Sequence, residues 1–342
     1  MRTATNHCTY LLPIRRAGFA EEEAREFVAY FKLLAAAGCE VLVVDGSPSE
    51  VFAQHARLWA AVARHNKVDR RFGYLNDKVN GIHTGVELAL HEKVLLADDD
   101  IRYTAADVAR MCALLRDYEV VRPQNFLSQL PWWARMEAAR MLINRATLRI
   151  GDYPGTCAFR RSTMLRVGHY DGDVLFDNEE IIRHFATAGA AINYATDFFI
   201  QKRAPQFRKW IEQRPRQAYE DFGLRAKTAA FATLPVVLLL AFIAGGLGGL
   251  LLSFGAVSTI GVALALAGHG RGKTRNYVSR WICLFAPLWI LERSISTYWA
   301  IHWHLRHGGY PFGDKLLTKG IGRDWISGGR VAARAAAQQP NE

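Results

Sequence analysis

Along the first half of the chain, short apolar runs alternate with longer stretches whose apolar residues recur every three or four positions. Residues 9–14, 40–45 and 94–97 are runs of the kind that form buried strands; the second ends on Asp45 and the third leads into Asp98-Asp99-Asp100. Residues 21–37, with acids in their first turn, carry the helical period, as do 50–65 and 79–91. Residues 71–75 read as a further strand. Strands separated by helices of this length predict βαβ units and a mainly parallel sheet flanked by helices, an α/β fold. Further along, 119–122 and 156–159 read as strands and 178–188 as a helix. Residues 131–147, with Trp132, Trp133, Met136, Met141 and Leu142, predict an amphipathic helix, and 207–222 a basic one.

The pattern then changes. From Ala229 to Gly268 no residue is charged. A membrane helix needs about 20 apolar residues, so the stretch predicts two crossings, about 229–247 and 250–268, turning near Gly248-Gly249 or Ser253-Phe254-Gly255. Basic residues lie on both sides, from Lys202 to Lys227 before and from Arg271 to Arg280 after. That bias favours both ends in the cytoplasm. Residues 280–303 carry four tryptophans but also Glu292 and Arg293 at their centre. Charge is costly inside a bilayer, so this segment predicts an interfacial helix broken at Pro287 with both charges hydrated; a third crossing is the alternative. His302, His304 and His307, beside tryptophans, read as interfacial residues rather than metal ligands. The expected organisation is a cytoplasmic domain over 1–224, a membrane domain over 225–305 and a basic cytoplasmic tail over 306–342.

Composition narrows this picture. Of 342 residues, 50% are hydrophobic and 22% charged, which excludes both a disordered chain and a pure membrane bundle. A net charge of +11 points to an acidic partner. The basic residues gather around the membrane segments rather than on an aromatic-bearing sheet, which argues against nucleic acid and for lipid or a phosphorylated ligand. Five scattered cysteines without CxxC spacing suit a reducing compartment. No charged-then-apolar leader precedes the strand at 9–14, so the first domain is expected in the cytoplasm.

The candidate chemistry falls in order along the alternating region. Asp45, in Val-Val-Asp-Gly-Ser, ends a strand where an acid can accept hydrogen bonds from a nucleobase or ribose. Lys78 precedes Val-Asn-Gly, a small-residue turn that can lie against a nucleotide. Asp98-Asp99-Asp100 lies where ligands bind in open α/β sheets, outside the carboxyl ends of the strands. An Asp-x-Asp pair there suits a hard divalent cation holding a diphosphate. Downstream, Asp177-Asn-Glu-Glu180 places acids at a helix N-terminus, where the dipole favours their charged form.

In this order the residues resemble the family 2 glycosyltransferases of GT-A fold, over about residues 9–222. The resemblance extends to membrane-bound bacterial types such as ceramide and hopanoid glucosyltransferases and polysaccharide synthases. It implies a nucleotide-sugar donor (UDP- or GDP-sugar), with Asp45 on the nucleoside and Lys78 and Asp99 among the donor contacts. Asp98 and Asp100 would hold Mg²⁺ or Mn²⁺. A base, Asp177 or Glu180, would deprotonate the acceptor hydroxyl. Many membrane-bound members carry Gln-x-x-Arg-Trp before their membrane helices. Here Gln206-Phe-Arg-Lys-Trp210 keeps the Trp, and Gln213-Arg-Pro-Arg216 keeps the arginine; the second is preferred because Arg214 and Arg216 could reach a diphosphate. Pro154-Gly-Thr156 with Arg160 and Arg161 resembles the loop lining the acceptor side. The expected protein is an inverting, metal-dependent, multi-pass enzyme of the inner membrane acting on a lipid or lipid-linked acceptor, with a homo-oligomer left open. The alternatives are a processive polysaccharide synthase and a non-catalytic nucleotide-sugar-binding membrane protein.

Overall fold

The structure, a computed structural model, describes residues 7–313 and 315–322. Strand β1 (Cys8–Ile14) is wholly buried and pairs in parallel with β2 (Cys39–Asp45) and β4 (Lys93–Ala97). Its side chains alternate between two cores, as the two-residue period of a strand requires. Tyr10 and Leu12 pack with Phe27, Phe31 and Trp59, while Leu11 faces Val79, Ile82 and Phe185. Helices α1 (Glu21–Ala36) and α2 (Ser49–Trp59) supply the first core; α3 (Asp77–Leu88) and α7 (Asp177–Thr187) supply the second.

The sheet has eight strands in the order β3-β2-β1-β4-β7-β6-β8-β5. Here β3 is Arg64–Lys67, β5 Ile101–Arg102, β6 Val120–Leu127, β7 Thr156–Arg160 and β8 Ile192–Lys202. β1 to β4 are parallel, β7 runs against both β4 and β6, and β6 is parallel to β8. Helices α4 (Ala105–Leu114), α5 (Trp132–Thr147) and α6 (Arg161–Val167) complete this part of the chain. The expected helix over 50–65 stops at Trp59, and its last residues form edge strand β3, whose Arg-His-Asn-Lys sequence has no apolar run to betray it. Residues 71–75 are loop, and β8 was not expected at all.

Helix α8 (Phe207–Glu220) leads into α9 (Arg225–Gly270), the one helix among the described residues long and apolar enough to cross a membrane. None of its most apolar stretch is buried. The helical path breaks at Gly246 (φ 58°, ψ −150°), a conformation that favours glycine. Beyond it the chain folds back so closely that a Cβ on Gly249 would lie 2.3 Å from the Ala241 carbonyl oxygen. The break falls just before the first of the two turn sites expected. The far arm packs through Gly261, Ala265 and Gly268 against α5 and α10 (Ala286–His307).

Pro287 sits in the first turn of α10, after the 3-10 turn Arg280–Phe285, so the chain bends where expected. Glu292 and Arg293, however, are not hydrated at a surface. Arg293 is 2% exposed, donates to Gln217 Oε1 at 3.0 Å and lies 3.5 Å from Asp221. Glu292 lies 3.6 Å from Arg214. Pairing with α8 replaces the water these charges would otherwise need. The expected tail also begins as part of the domain. β9 (Tyr310–Phe312) and β10 (Lys315–Leu317) form a hairpin, and the backbones of Leu175 and Phe176 bond Lys319 and Gly320. Arg323, Arg330 and Arg334, and the rest of the expected tail, lie outside the described residues.

Candidate functional site

β4 delivers three carboxylates to the end of the sheet. Asp98 closes a tight turn by accepting from the Ile101 N–H at 3.1 Å, and its own N–H donates to the Gly155 carbonyl at 2.9 Å. Glycine at 155 lets the Asp98 carboxylate lie close: a Cβ there would stand 2.4 Å from Asp98 Oδ2 and push it aside. Each acid then meets its own cation. Lys78 Nζ lies 2.5 Å from Asp98 Oδ1, Arg16 is 2.5 Å and Lys209 3.7 Å from Asp99, and Lys202 is 3.4 Å from Asp100. Burial pushes the Asp98 carboxyl up, but Lys78 and Lys202 outweigh it and hold the group below the usual range. Asp99 falls to about 2, burial being overcome by Lys209 and Arg16. Asp100 goes the other way. Its burial and the repulsion of Asp98 and Asp99 raise it against the pull of Lys202, and its Oδ1 is buried with no hydrogen-bond partner.

Lys78 also ties this turn to α7. Asn76 caps α3 by accepting from the Lys78 N–H, which fixes the start of the helix. The Lys78 ammonium then lies 2.7 Å from Asp177 Oδ2 and donates to Asn178 Oδ1 at 2.8 Å. Asn178 in turn donates to Asp98 Oδ2 at 3.1 Å. Asp98 and Asp177, far apart in sequence, thus share one lysine.

All of these groups open onto a cavity of about 710 Å³. Lys78, Asp98, Asp99, Asp100, Asp177, Gln213, Arg214 and Arg216 line it, so most of the expected site is brought together. Arg214 stacks on Trp210, its cationic carbon 4.7 Å from the ring centroid, so the two incomplete arginine–tryptophan motifs meet on one helix face. Arg216 lies over Phe312 and contacts Glu220 at 3.3 Å.

Asp45, Glu180, Arg160 and Arg161 are not in this cavity. Asp45 is buried beside it, and its carboxylate is already filled. Oδ1 accepts the Ser47 N–H at 2.8 Å, while Oδ2 meets His55 Nδ1 at 2.8 Å and His65 Nε2 at 3.0 Å. These three are ligand types that could hold a metal, but direct hydrogen bonds at such distances leave no ion-sized gap between them. Glu180 is also turned away: both its oxygens contact Arg183, at 2.5 and 3.1 Å, and Oε2 accepts the Gly322 N–H at 3.0 Å. Arg160 and Arg161 instead bond backbone carbonyls of Leu115 and Val86 beyond the carboxyl end of β7.

The cavity also gathers residues that sequence reasoning missed: Arg16, Lys202, Glu137, Arg140, Asp152, Glu220, Asp221, Lys227 and Arg293. Lys202 ends β8, as Asp98 follows β4, but β8 shows no apolar run, so no strand end marked it. Glu137 and Arg140 lie on a helix that reads as amphipathic, and nothing local marks Asp221 or Arg293. Their partners come from other elements.

No family model and no curated protein matches the chain. Among solved structures it is similar to a mannosyltransferase from Pyrobaculum calidifontis in complex with GDP-mannose and Mn²⁺. The two share 17% identity over 85% of this chain and 87% of that one, with a TM-score of 0.49. It is also similar to glucosyl-3-phosphoglycerate synthase from Mycobacterium tuberculosis in complex with Mn²⁺, UDP and phosphoglyceric acid. There the identity is 15% over 62% of this chain and 76% of that one, with a TM-score of 0.42. At TM-scores below 0.5 these likenesses decide neither fold family nor activity, and the chain's own residues have to.

Proposed function

We propose that this chain is a membrane-anchored, inverting glycosyltransferase of GT-A type, moving a sugar from a nucleotide diphosphate sugar to a lipid or lipid-linked acceptor. The observation that carries the reading is the convergence of the strand-end acids and Asp177 on one cavity through Lys78. Asp98 and Asp100 would hold Mg²⁺ or Mn²⁺. The residues fit such an ion, being hard carboxylate oxygens, one of which, Asp100 Oδ1, is buried without a partner. When bound, the metal would offset charge on the departing diphosphate.

Arg16, Lys202 and Lys209 pair with Asp99 and Asp100 of the same turn, which places cations where they can help hold an anionic leaving group. Asp177 is the better base than Glu180, because it faces the cavity while Glu180 spends both oxygens on Arg183 and Gly322. A carboxylate there can take the acceptor proton as the hydroxyl attacks the anomeric carbon from the face opposite the diphosphate, which inverts that carbon. Arg214 and Arg216 line the approach from the membrane side.

The two arms of α9 on either side of Gly246 would form a membrane hairpin, each arm being about the ~20 residues a bilayer core needs. The sheet domain and the chain after Gly268 then share the cytoplasmic side of the inner membrane. Incubating the full-length protein with a panel of UDP- and GDP-sugars and extracting lipids tests the activity. Transfer to the lipid fraction is expected, with loss in Asp100→Asn; full turnover by that variant or in excess chelator refutes the metal assignment. Single-cysteine labelling in intact cells tests the hairpin: a site at the turn near Gly248 should react from outside and one near Lys273 should not.

A further inference from the structure

The cavity has a second half that the proposed chemistry does not use. It lies between α5, α8, the first turn of α9 and the middle of α10, and Arg140, Lys227 and Arg293 line it. These cations come from three helices, yet they stand close enough to repel one another. Lys227 bonds Asp221 at 2.8 Å, and Arg140 reaches Glu137 at 2.7 Å and Asp152 at 3.0 Å. Asp221 therefore serves two cations, Lys227 and Arg293.

Arg293 is the least satisfied of them. Its Nη2 donates to Gln217, but its Nε and Nη1 have no hydrogen-bond acceptor; Nη1 stands 3.5 Å from Asp221 Oδ2 without bonding it. A buried guanidinium with idle N–H groups is costly unless something else supplies the oxygens. A tetrahedral anion with several acceptor oxygens answers that need better than a single hydroxyl, because the planar fork of arginine presents paired donors.

The position of this pocket says where the anion comes from. Lys227 stands two residues before the uncharged stretch begins at Ala229. Arg293 is on the inner face of a helix whose outer face exposes Leu288, Ile295, Trp299 and Leu305. A group bound between them sits at the root of the apolar helices, at the level where a lipid carries its head group.

We propose that Arg293, Lys227 and Arg140 form a subsite for a phosphate group on the acceptor, so that the enzyme glycosylates a phosphate-bearing lipid whose sugar or alcohol hydroxyl reaches forward to Asp177. The proposal rests on the glycosyltransferase reading for its acceptor role, but the phosphate subsite can be tested without turnover.

The experiment measures binding of dodecyl phosphate, dodecanol and inorganic phosphate to the full-length protein in dodecyl maltoside, a phosphate-free detergent. Nucleotide binding is measured on the same samples with Mn²⁺. Dodecyl phosphate should bind at least tenfold tighter than dodecanol. Arg293→Gln and Lys227→Gln should each weaken it by about tenfold or more, as expected for losing a charged hydrogen bond, with unchanged far-UV circular dichroism. Should Arg293→Gln fail to fold, Lys227→Gln and Arg293→Lys decide the matter, the latter being expected to bind at intermediate strength. Equal binding of the alcohol and the phosphate, or no loss in any folded variant, overturns the subsite. Inorganic phosphate should compete only weakly; equal potency would overturn the lipid source. Nucleotide binding without Arg293-dependent alkyl phosphate binding keeps the transferase and removes the subsite. The reverse result keeps the subsite and removes the transferase.

Discussion

In the sheet domain most inner side chains are apolar. Tyr10, Leu95, Phe31 and Phe159 have no exposed surface, and where a charge is buried in mid-strand, as Arg122 is on β6, a carboxylate from a packed helix meets it, Glu179 at 2.6 Å. In α10 the order is reversed: Arg293, Ser294, Ser296 and Thr297 are buried, while Leu288, Ile295, Tyr298 and Trp299 face outward. One chain thus follows two burial rules. Apolar surface leaves water for the sheet core. An outward apolar face with inward charges suits lipid outside and a polar cavity inside. The cavity spans the boundary, with strand-end acids on one side and the inner faces of α8 and α10 on the other.

The largest expected effect comes from putting the same charge into both regions. Leu95→Asp buries a carboxylate in the middle of the sheet without a partner, a change that costs several kcal/mol and should abolish cooperative folding. Ile295→Asp, at a position 68% exposed, should leave the melting temperature in detergent nearly unchanged. It should instead reduce the fraction of protein recovered with membranes. Equal destabilisation by the two changes would show that α10 faces protein rather than lipid.

A smaller contrast lies within one helix. Asp177 and Glu180 are a single turn apart on α7, but only Asp177 faces the cavity. Asp177→Asn should lower turnover by ~10²-fold or more, the scale of general-base loss, while nucleotide binding persists. Glu180→Gln removes the charged partner of Arg183 and the Gly322 N–H, so it should lower thermal stability and change turnover much less. Steady-state rates beside melting curves separate the two; a larger rate loss in Glu180→Gln would reverse the assignment.

The same split in burial rules explains how much was legible in the sequence. β1, β2 and β4 announce themselves as apolar runs because both faces of a central strand are buried. β3 is polar and β8 mixes Asn193, Thr196, Asp197 and Gln201 with apolar residues, so neither shows such a run. The acids of the site were readable because a strand end places them in sequence order. Asp45 shows the limit of that argument. Its position at a strand end is as expected, but two histidines, His55 at the end of a turn of α2 and His65 on the polar β3, fill its carboxylate. Arg140, Lys227 and Arg293 were not legible because each matters only through elements brought beside it by folding. For α10, the central charges argued against a crossing, yet where they point depends on α8, which no periodicity in α10 reveals.

The smallest expected effect concerns Glu220, which stands where the two halves of the cavity meet. Burial, then the charges of Asp221 and Asp177, push its carboxyl up to about 7 against the pull of Arg216 and Arg293. The folded protein therefore holds this proton more tightly than the unfolded chain, whose ordinary value is 4.5. The stability it contributes is fully present below about pH 4.5 and is lost as pH rises through about 7, by up to about 3 kcal/mol. Asp99 has the opposite sign: lowered from 3.8 to about 2, it contributes above 3.8 and loses that contribution as pH falls. Glu220→Gln should therefore melt higher than the wild type at pH 8, and the gap should close towards pH 4.5, where Asp99 is unaffected by the change. Thermal melts across that range decide it. A constant gap at every pH would mean that Glu220 is already ionised in the folded cavity and that the half lined by α8 and α10 is wetter than its packing implies.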